Sequence, residues 1–262
     1  MCENSQLAEL ISLKGQVAVI TGAASGIGRA TAVRLAEAEA AVALLDVDET
    51  SGEAVKKEIN FSGGKANFYR CDVTSNEECR SAVEKIISDF GRIDILFNNA
   101  GVIRRKSLVE LNEEEWDLVL NVNLKAIYLL SRYVIPHMAK NGGGSIINTG
   151  SGWGLRGGAR AAAYCASMGG TVNLTRAMAI DHGRDNIRVN CVCPGDTDTP
   201  LLHSEAAQLG EEKEKFLKEA AARPLERIGQ PLDIANTVLY LAGGLSSWVT
   251  GSVLAVDGGG TA

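Results

Sequence analysis

The stretch that most restricts the fold of this chain runs from Gln16 to Ala40. Gln16–Thr21 (QVAVIT) is a short, β-branched run bounded by Gly15 and Gly22, the pattern of a buried strand. TGAASGIG at 21–28 follows, and then RATAVRLAEAEA, which is rich in helix-forming residues. Strand, glycine-rich turn and helix in that order form a phosphate cradle. Glycines let the backbone approach a pyrophosphate, and the first helical turn offers unpaired N–H groups at the positive end of a dipole. A glycine triplet alone is a weak signal; its flanking strand and helix make it a strong one.

The second strand, Ala41 to Leu45, ends at Asp46, eighteen residues after Gly28. A carboxylate there accepts hydrogen bonds from both ribose hydroxyls and repels a 2′-phosphate, which favours NAD over NADP. Arg29 leaves some tolerance for a phosphate, and a solvated carboxylate at a strand end is the plainer alternative. Strands and helices then alternate. Helices are predicted over 49–61, 75–90 (Ser75 as N-cap, Glu78 three residues on), 113–138, 161–182 and 231–241. Strands are predicted at 66–71, 93–97, 145–148, 187–193 and 252–256. The strand runs are apolar on both faces, so they belong to a parallel sheet with helices on both sides, an α/β domain. No repeat, low-complexity tract or linker divides residues 1–262, so a single domain is expected. Asp196 to Arg223 interrupts the alternation after Pro194-Gly195 and carries a charged helix-forming run, EEKEKFLKEAA; it is read as a flap over the site.

Composition excludes several classes. A net charge of −6 and a pI near 5.2 argue against a nucleic-acid surface. There is no uninterrupted run of eighteen apolar residues, and the first fifteen residues lack a basic start and a long apolar core. The chain therefore reads as a cytoplasmic protein with no membrane partner. Cys2, Cys71, Cys79, Cys165, Cys191 and Cys193 show no zinc spacing and are read as reduced structural thiols. His137, His182 and His203 are scattered, and no metal site is expected.

Candidate chemistry lies in SGWGLRGGARAAAYCASM, 151–168. It holds a hydroxyl (Ser151), a phenol (Tyr164) and, four residues beyond the phenol, Met168, which shares its helix face. A phenol and a hydroxyl can together handle a proton on a substrate oxygen. A cation beside the phenol would lower its pKa, and a thioether cannot.

Taken in order, TGAASGIG at 21–28, CDV at 71–73, NNAG at 98–101, VNL at 122–124, TGS at 149–151, YCASM at 164–168, PG at 194–195 with Thr199, and WVTGSVLAVDGG at 248–259 resemble the classical short-chain dehydrogenases/reductases. The likeness runs from about Leu13 to the C-terminus. It implies a Rossmann-type, doubly wound parallel sheet and an NAD-dependent oxidoreductase that interconverts a secondary alcohol and its ketone. By the same resemblance, Gly22, Ser25, Gly26, Ile27 and Gly28 hold the pyrophosphate and Asp46 the adenosine ribose. Asp72 and Val73 flank the adenine, and Asn99, Ala100 and Gly101 lie beside the cofactor. Ile187 begins the strand before the nicotinamide loop, in which Pro194, Gly195, Thr197 and Thr199 contact the nicotinamide end. Asn123, taken over Asn121 because it lies in Val-Asn-Leu, orders a water. Ser151 hydrogen-bonds the substrate oxygen, and Tyr164 gives or takes the proton.

The family's fourth catalytic residue is a lysine that binds the nicotinamide ribose and lowers the tyrosine pKa; here Met168 stands in its place. Methionine keeps the length and helix propensity of lysine but has neither charge nor N–H donor. Three readings follow: an introduced inactivating substitution, a natural variant with a rewired proton path, or a non-catalytic dinucleotide-binding sensor or scaffold. The intact remaining motifs favour the first two. Thr197 is a smaller departure, since the family usually has an aliphatic residue there. Trp153, Leu155, Arg156, Cys193, Asp196 and the flap are expected to wall the substrate pocket, with Arg104, Arg105 and Arg160 in neighbouring loops. A sugar, polyol or similar small hydroxylated compound is the expected substrate. The C-terminal apolar run and the helices at 113–138 and 161–182 resemble the family's surfaces for homotetramer packing.

Overall fold

The apolar runs form seven strands: β1 (Val17–Thr21), β2 (Ala41–Asp46), β3 (Lys65–Arg70), β4 (Ile95–Asn98), β5 (Gly144–Thr149), β6 (Ile187–Pro194) and β7 (Val253–Val256). In the computed structural model, which describes residues 3–262, they make one parallel sheet of order β3-β2-β1-β4-β5-β6-β7. Cys2, read above as a reduced thiol, lies outside the described residues. The other five cysteines are free thiols.

Alternation along each strand divides the core between two faces. Val17 and Val19 join Ala43 and Leu45 on one face, packed against α4 (Asn76–Phe90) and α6 (Ala126–Lys140). Ala18 and Ile20 join Val42 and Leu44 on the other, against α2 (Gly26–Glu37), α3 (Glu49–Phe61) and α10 (Pro231–Ala242). The doubly wound reading holds. Helix boundaries follow local chemistry: the Ser75 hydroxyl accepts from the Glu78 N–H at 3.2 Å to start α4, and Gly91, at φ 81°, ends it.

Three elements differ from the sequence reading. A first helix, α1 (Glu3–Ile11), precedes the sheet where none was expected. The predicted 113–138 helix is α5 (Glu113–Leu120), a π-helical turn (Asn121–Lys125) and α6 in unbroken succession. Its length and apolarity from Glu113 to Lys140 are enough to cross a membrane. Leu129, Leu130, Val134 and Met138 are nevertheless buried in the sheet core, which accounts for the apolarity. Finally, the 196–223 segment contains two helices, α8 (Pro200–Leu209) and α9 (Lys213–Ala220).

Strand order reverses between β1 and β4, so the loops leaving their C-terminal ends diverge and open a crevice above the sheet. Gly22 sits there at φ 62°, and a Cβ on it would lie 3.0 Å from the Ala100 Cα. The two turns meet too closely for any side chain.

Candidate active site

The crevice is a cleft of about 740 Å³. Its walls include Gly22, Ser25, Gly26, Ile27, Asp46, Asp72, Val73, Asn99, Ala100 and Gly101 at the turn end. Ser151, Trp153, Arg156, Tyr164, Met168, Pro194, Gly195, Asp196, Thr197 and Thr199 line the other end. Of the residues singled out as catalytic, cofactor- or substrate-binding, only Gly28 and Asn123 lie behind the walls. Leu155 and Cys193, expected beside them, are also outside the cleft lining, and Cys193 is fully buried in β6.

Gly28 serves packing: a Cβ on it would fall 2.0 Å from the Gly22 carbonyl oxygen. It lets α2 start directly beneath the turn. The Ser25 side chain makes no capping hydrogen bond, so the first-turn N–H groups of α2 face the cleft uncapped by it. An uncapped helix start beneath a glycine turn suits a pyrophosphate, and these residues fit a dinucleotide.

At the opposite mouth of the turn, the Asp46 carboxylate accepts from the Ala24 N–H at 2.9 Å and the Asp48 N–H at 3.0 Å. Arg29, the residue that left room for a phosphate, instead gives both carboxylate oxygens of Glu58 a 2.8 Å contact. Asp72 accepts from the Thr74 N–H and hydroxyl at 2.9 and 2.7 Å.

Asn123 lies in the π-helical turn and is 2 % exposed. Its Oδ1 accepts from the Val102 N–H at 2.8 Å, and its Nδ2 donates to the Val102 carbonyl at 2.9 Å and to Ser167 Oγ at 3.1 Å. Ser167 in turn donates to the Tyr164 carbonyl at 2.8 Å. The asparagine side chain thus clamps the loop after β4 to the second turn of α7 (Ala162–His182). Ser167 was missed by the sequence reading; its only signal is a polar residue on a buried helix face.

Tyr164 and Met168 stand one turn apart at the start of α7, and Ser151 begins a 3-10 turn (Gly152–Gly154), its hydroxyl accepting from the Trp153 N–H at 3.1 Å. Burial pushes the Tyr164 phenol well above its ordinary pKa, the Ser151 hydroxyl draws it back, and the Glu205 carboxylate raises it further. Met168, 3 % exposed, supplies no opposing charge. Arg160 is turned away, at φ 50°, with Glu110 3.6 Å from it.

Residues one hundred positions apart close this end. Arg105 pairs with Glu205 of α8, each side chain 10 % exposed. Arg105 also donates to the Ala159 carbonyl at 3.2 Å and lies 4.8 Å above the Trp153 ring. Trp153 meets the Tyr164 ring edge-on, with centroids 6.1 Å apart. Arg223, at the far end of the flap, pairs with Asp196 at its start. The ends of the flap are therefore tied to each other and its first helix to Arg105, a feature invisible in its local sequence.

The model of the family described as Enoyl-(Acyl carrier protein) reductase matches residues 22–261. The chain is 40 % identical over 248 residues to a 3-oxoacyl-(acyl-carrier-protein) reductase, FabG, of Thermotoga maritima, covering 94 % of this chain and 98 % of that one. The chain belongs to the short-chain dehydrogenase/reductase family. Solved structures of other members superpose closely. Levodione reductase gives a TM-score of 0.92 at 34 % identity, over 95 % of this chain and 98 % of that one. A putative NAD(P)-dependent gluconate 5-dehydrogenase from Beutenbergia cavernae gives 0.89 at 36 % identity, with the same coverage. Among the described residues no group of three or more His, Cys, Asp or Glu is placed to hold a metal ion.

Within this family member, the Arg105–Glu205 pair is a buried ionic contact between the loop after β4 and α8. Burial raises the Glu205 pKa, and Arg105 holds it down. Removing the carboxylate leaves a buried guanidinium uncompensated. Glu205→Ala is expected to cost about 3 kcal/mol of stability, read as a lower midpoint in denaturant unfolding. A midpoint unchanged from the parent protein would show that the pair contributes nothing.

Proposed function

We propose that this protein is an NAD-dependent oxidoreductase that interconverts a secondary alcohol and its ketone. One observation carries the reading: the Ser151 hydroxyl and the Tyr164 phenol share a cleft with a glycine turn at a helix N-terminus. The bound nicotinamide ring supplies the hydride acceptor or donor. Ser151 holds the substrate oxygen by a hydrogen bond, and Tyr164 exchanges the proton on that oxygen. Asn123 acts through the Val102 and Ser167 clamp, which fixes the tyrosine-bearing turn, and it takes the water-ordering position of the family. Pro194, Gly195, Thr197 and Thr199 border the nicotinamide end; Thr199 also starts α8, its hydroxyl accepting from the Leu202 N–H at 3.3 Å. A sugar, polyol or similar small hydroxylated compound is the substrate class we favour, in keeping with the relative named for gluconate. The protein works in the cytoplasm on this reading, with no nucleic-acid or membrane partner.

Cofactor choice rests on Asp46. Its carboxylate stands at the ribose end of the cleft, and Arg29 is engaged with Glu58, so a 2′-phosphate would meet a negative charge with no cation beside it. Calorimetric titration is expected to show NADH binding more tightly than NADPH. Equal or tighter NADPH binding would overturn the role given to Asp46.

Met168 governs the pH dependence. A phenol with a raised pKa stays protonated across the neutral range, so it is ready to donate in ketone reduction and scarce as a base for alcohol oxidation. Oxidation should therefore climb as pH rises toward the phenol pKa. Met168→Lys places a cation on the same helix face and lowers that pKa. It should raise oxidation at pH 7 by at least about tenfold, the effect of one pKa unit, and shift the profile toward neutrality. Equal rates for both forms at pH 7 would show that methionine is a sufficient solution.

A non-catalytic dinucleotide sensor is the second reading, and Met168 alone favours it. Absorbance screening of alcohols and ketones with the Met168→Lys form separates the two: bound cofactor with no turnover on a broad panel selects the sensor.

The assembly we favour is a homotetramer. Tyr128, half exposed on α6, Ile180 at 81 % and Trp248 at 98 % are large apolar side chains left in solvent by a single chain. Light scattering at micromolar concentration should give the mass of four chains, and a monomer would count against these surfaces as contacts.

A further inference from the structure

Four arginines in the loops around the site, together with Arg223, are candidates to recognise a charged substrate. Arg105 is held by Glu205 and stacked on Trp153; Arg223 is held by Asp196 and donates to the Ala220 carbonyl at 2.7 Å. Arg160 faces Glu110, and Arg104 donates to the Ile103 carbonyl at 3.0 Å. Only Arg156 and Arg223 line the cleft, and Arg156 has no side-chain hydrogen bond or ion pair among the described residues. Its backbone is fixed, the N–H donating to the Gly152 carbonyl at 3.1 Å, so the exposed guanidinium projects from a set position on the same short segment as Ser151 and Trp153.

The rest of that end offers little to a charged group. Leu118, Val122, Leu201 and Leu202 present apolar surface; of the carboxylates beside them, Glu205 is paired with Arg105, Asp196 with Arg223, and Asp257 accepts from the Thr261 hydroxyl at 2.7 Å. A wall whose other charges are paired, with one unpaired planar cation, suits a ligand with one terminal anion.

We propose that Arg156 is the anchor for a carboxylate on the substrate, so that the reacting compound is a hydroxy acid or the corresponding oxo acid. The proposal rests on the oxidoreductase reading above, with Ser151 and Tyr164 at the reacting carbon and Arg156 at the far end of the same molecule. The guanidinium gives two parallel N–H donors to the two carboxylate oxygens, which fixes the orientation as well as the distance of the reacting carbon. A neutral alcohol of the same shape loses that orientation and enters the cleft in several poses.

A binding experiment without chemistry tests this separately from hydride transfer. Cyclohexanecarboxylate and cyclohexanecarboxamide have no hydroxyl or ketone to react, and they differ in charge while matching in shape. Each is titrated calorimetrically into the protein with NADH present. The carboxylate is expected to bind at least about tenfold more tightly than the amide, the scale of one charge-assisted hydrogen-bond pair. Arg156→Ala should bring the two within about twofold, and Arg156→Lys should keep part of the preference, since lysine acts as a point charge. Arg156 is exposed and makes no side-chain contact of this kind, so an unchanged thermal midpoint in Arg156→Ala certifies the fold. Equal affinities in the parent protein, a preference that survives in Arg156→Ala, or no binding of either compound would each overturn the assignment. Loss of the oxidoreductase reading would appear elsewhere, as bound cofactor without turnover on any alcohol or ketone.

Discussion

Everything in the site depends on how closely the turns after β1 and β4 approach. The Thr21 hydroxyl, 2 % exposed, accepts the N–H groups of both Asn99 and Ala100, at 2.8 and 2.9 Å. Asn99 returns its side-chain amide to the Thr21 carbonyl at 3.0 Å. The turns are thus stitched by one hydroxyl and one amide at the place where strand order reverses. A crevice opens at that reversal because the two loops leave in opposite directions. Gly22 makes the contact sterically possible, and Gly28 lets the helix below rise against it. The glycines act here through the absence of a Cβ between packed backbones as much as through any contact with a phosphate.

From that seam the site is built by hydrogen bonds that run away from the cleft. Asn123 ties the loop after β4 to Ser167, and Ser167 ties back to the carbonyl of Tyr164. Farther in, Asn148 of β5 accepts from Asn98 of β4 at 2.9 Å and donates to Thr175 of α7 at 3.0 Å. Buried polar groups of this kind are costly unless satisfied, and satisfied they fix one register of helix on sheet. The Tyr164 phenol is positioned by α7 as a whole, through polar contacts on its buried face, while the side chains that act on its charge, Ser151 and Glu205, come from other segments.

Those electrostatics distinguish this chain. A half-buried phenol with an apolar neighbour at the next turn and the Glu205 carboxylate acting on it is biased toward its protonated form. The cation nearest to a catalytic purpose, Arg105, is already matched with Glu205, so it stabilises the flap and the Trp153 ring and contributes little free charge to the tyrosine. Such a site favours proton donation over proton abstraction.

The sequence by itself determined the layout. Short apolar runs set the strands, helix-forming runs set the helices, and the glycine spacing located the turn at the head of the cleft, because each of these signals is local in the chain. It also located Asp46, Ser151, Tyr164 and Met168, each next to a motif with a short spacing. The short helix before the sheet went unread because it lies ahead of the alternating pattern, and the π-helical turn because one inserted residue leaves the hydrophobic period nearly unchanged. Tertiary structure alone decided which charged residues are free. Arg104, Arg105, Arg156 and Arg160 look alike in sequence; Arg105 finds its partner on α8 a hundred residues away and Arg160 in the loop after β4, while Arg156 is left without one among the described residues, and no local pattern encodes that difference. The same holds for Gly28 and Asn123, whose packing against the backbone of distant loops places them behind the cleft wall. Composition and spacing determine what a segment becomes, and only the packed chain determines which of its groups still face solvent or substrate.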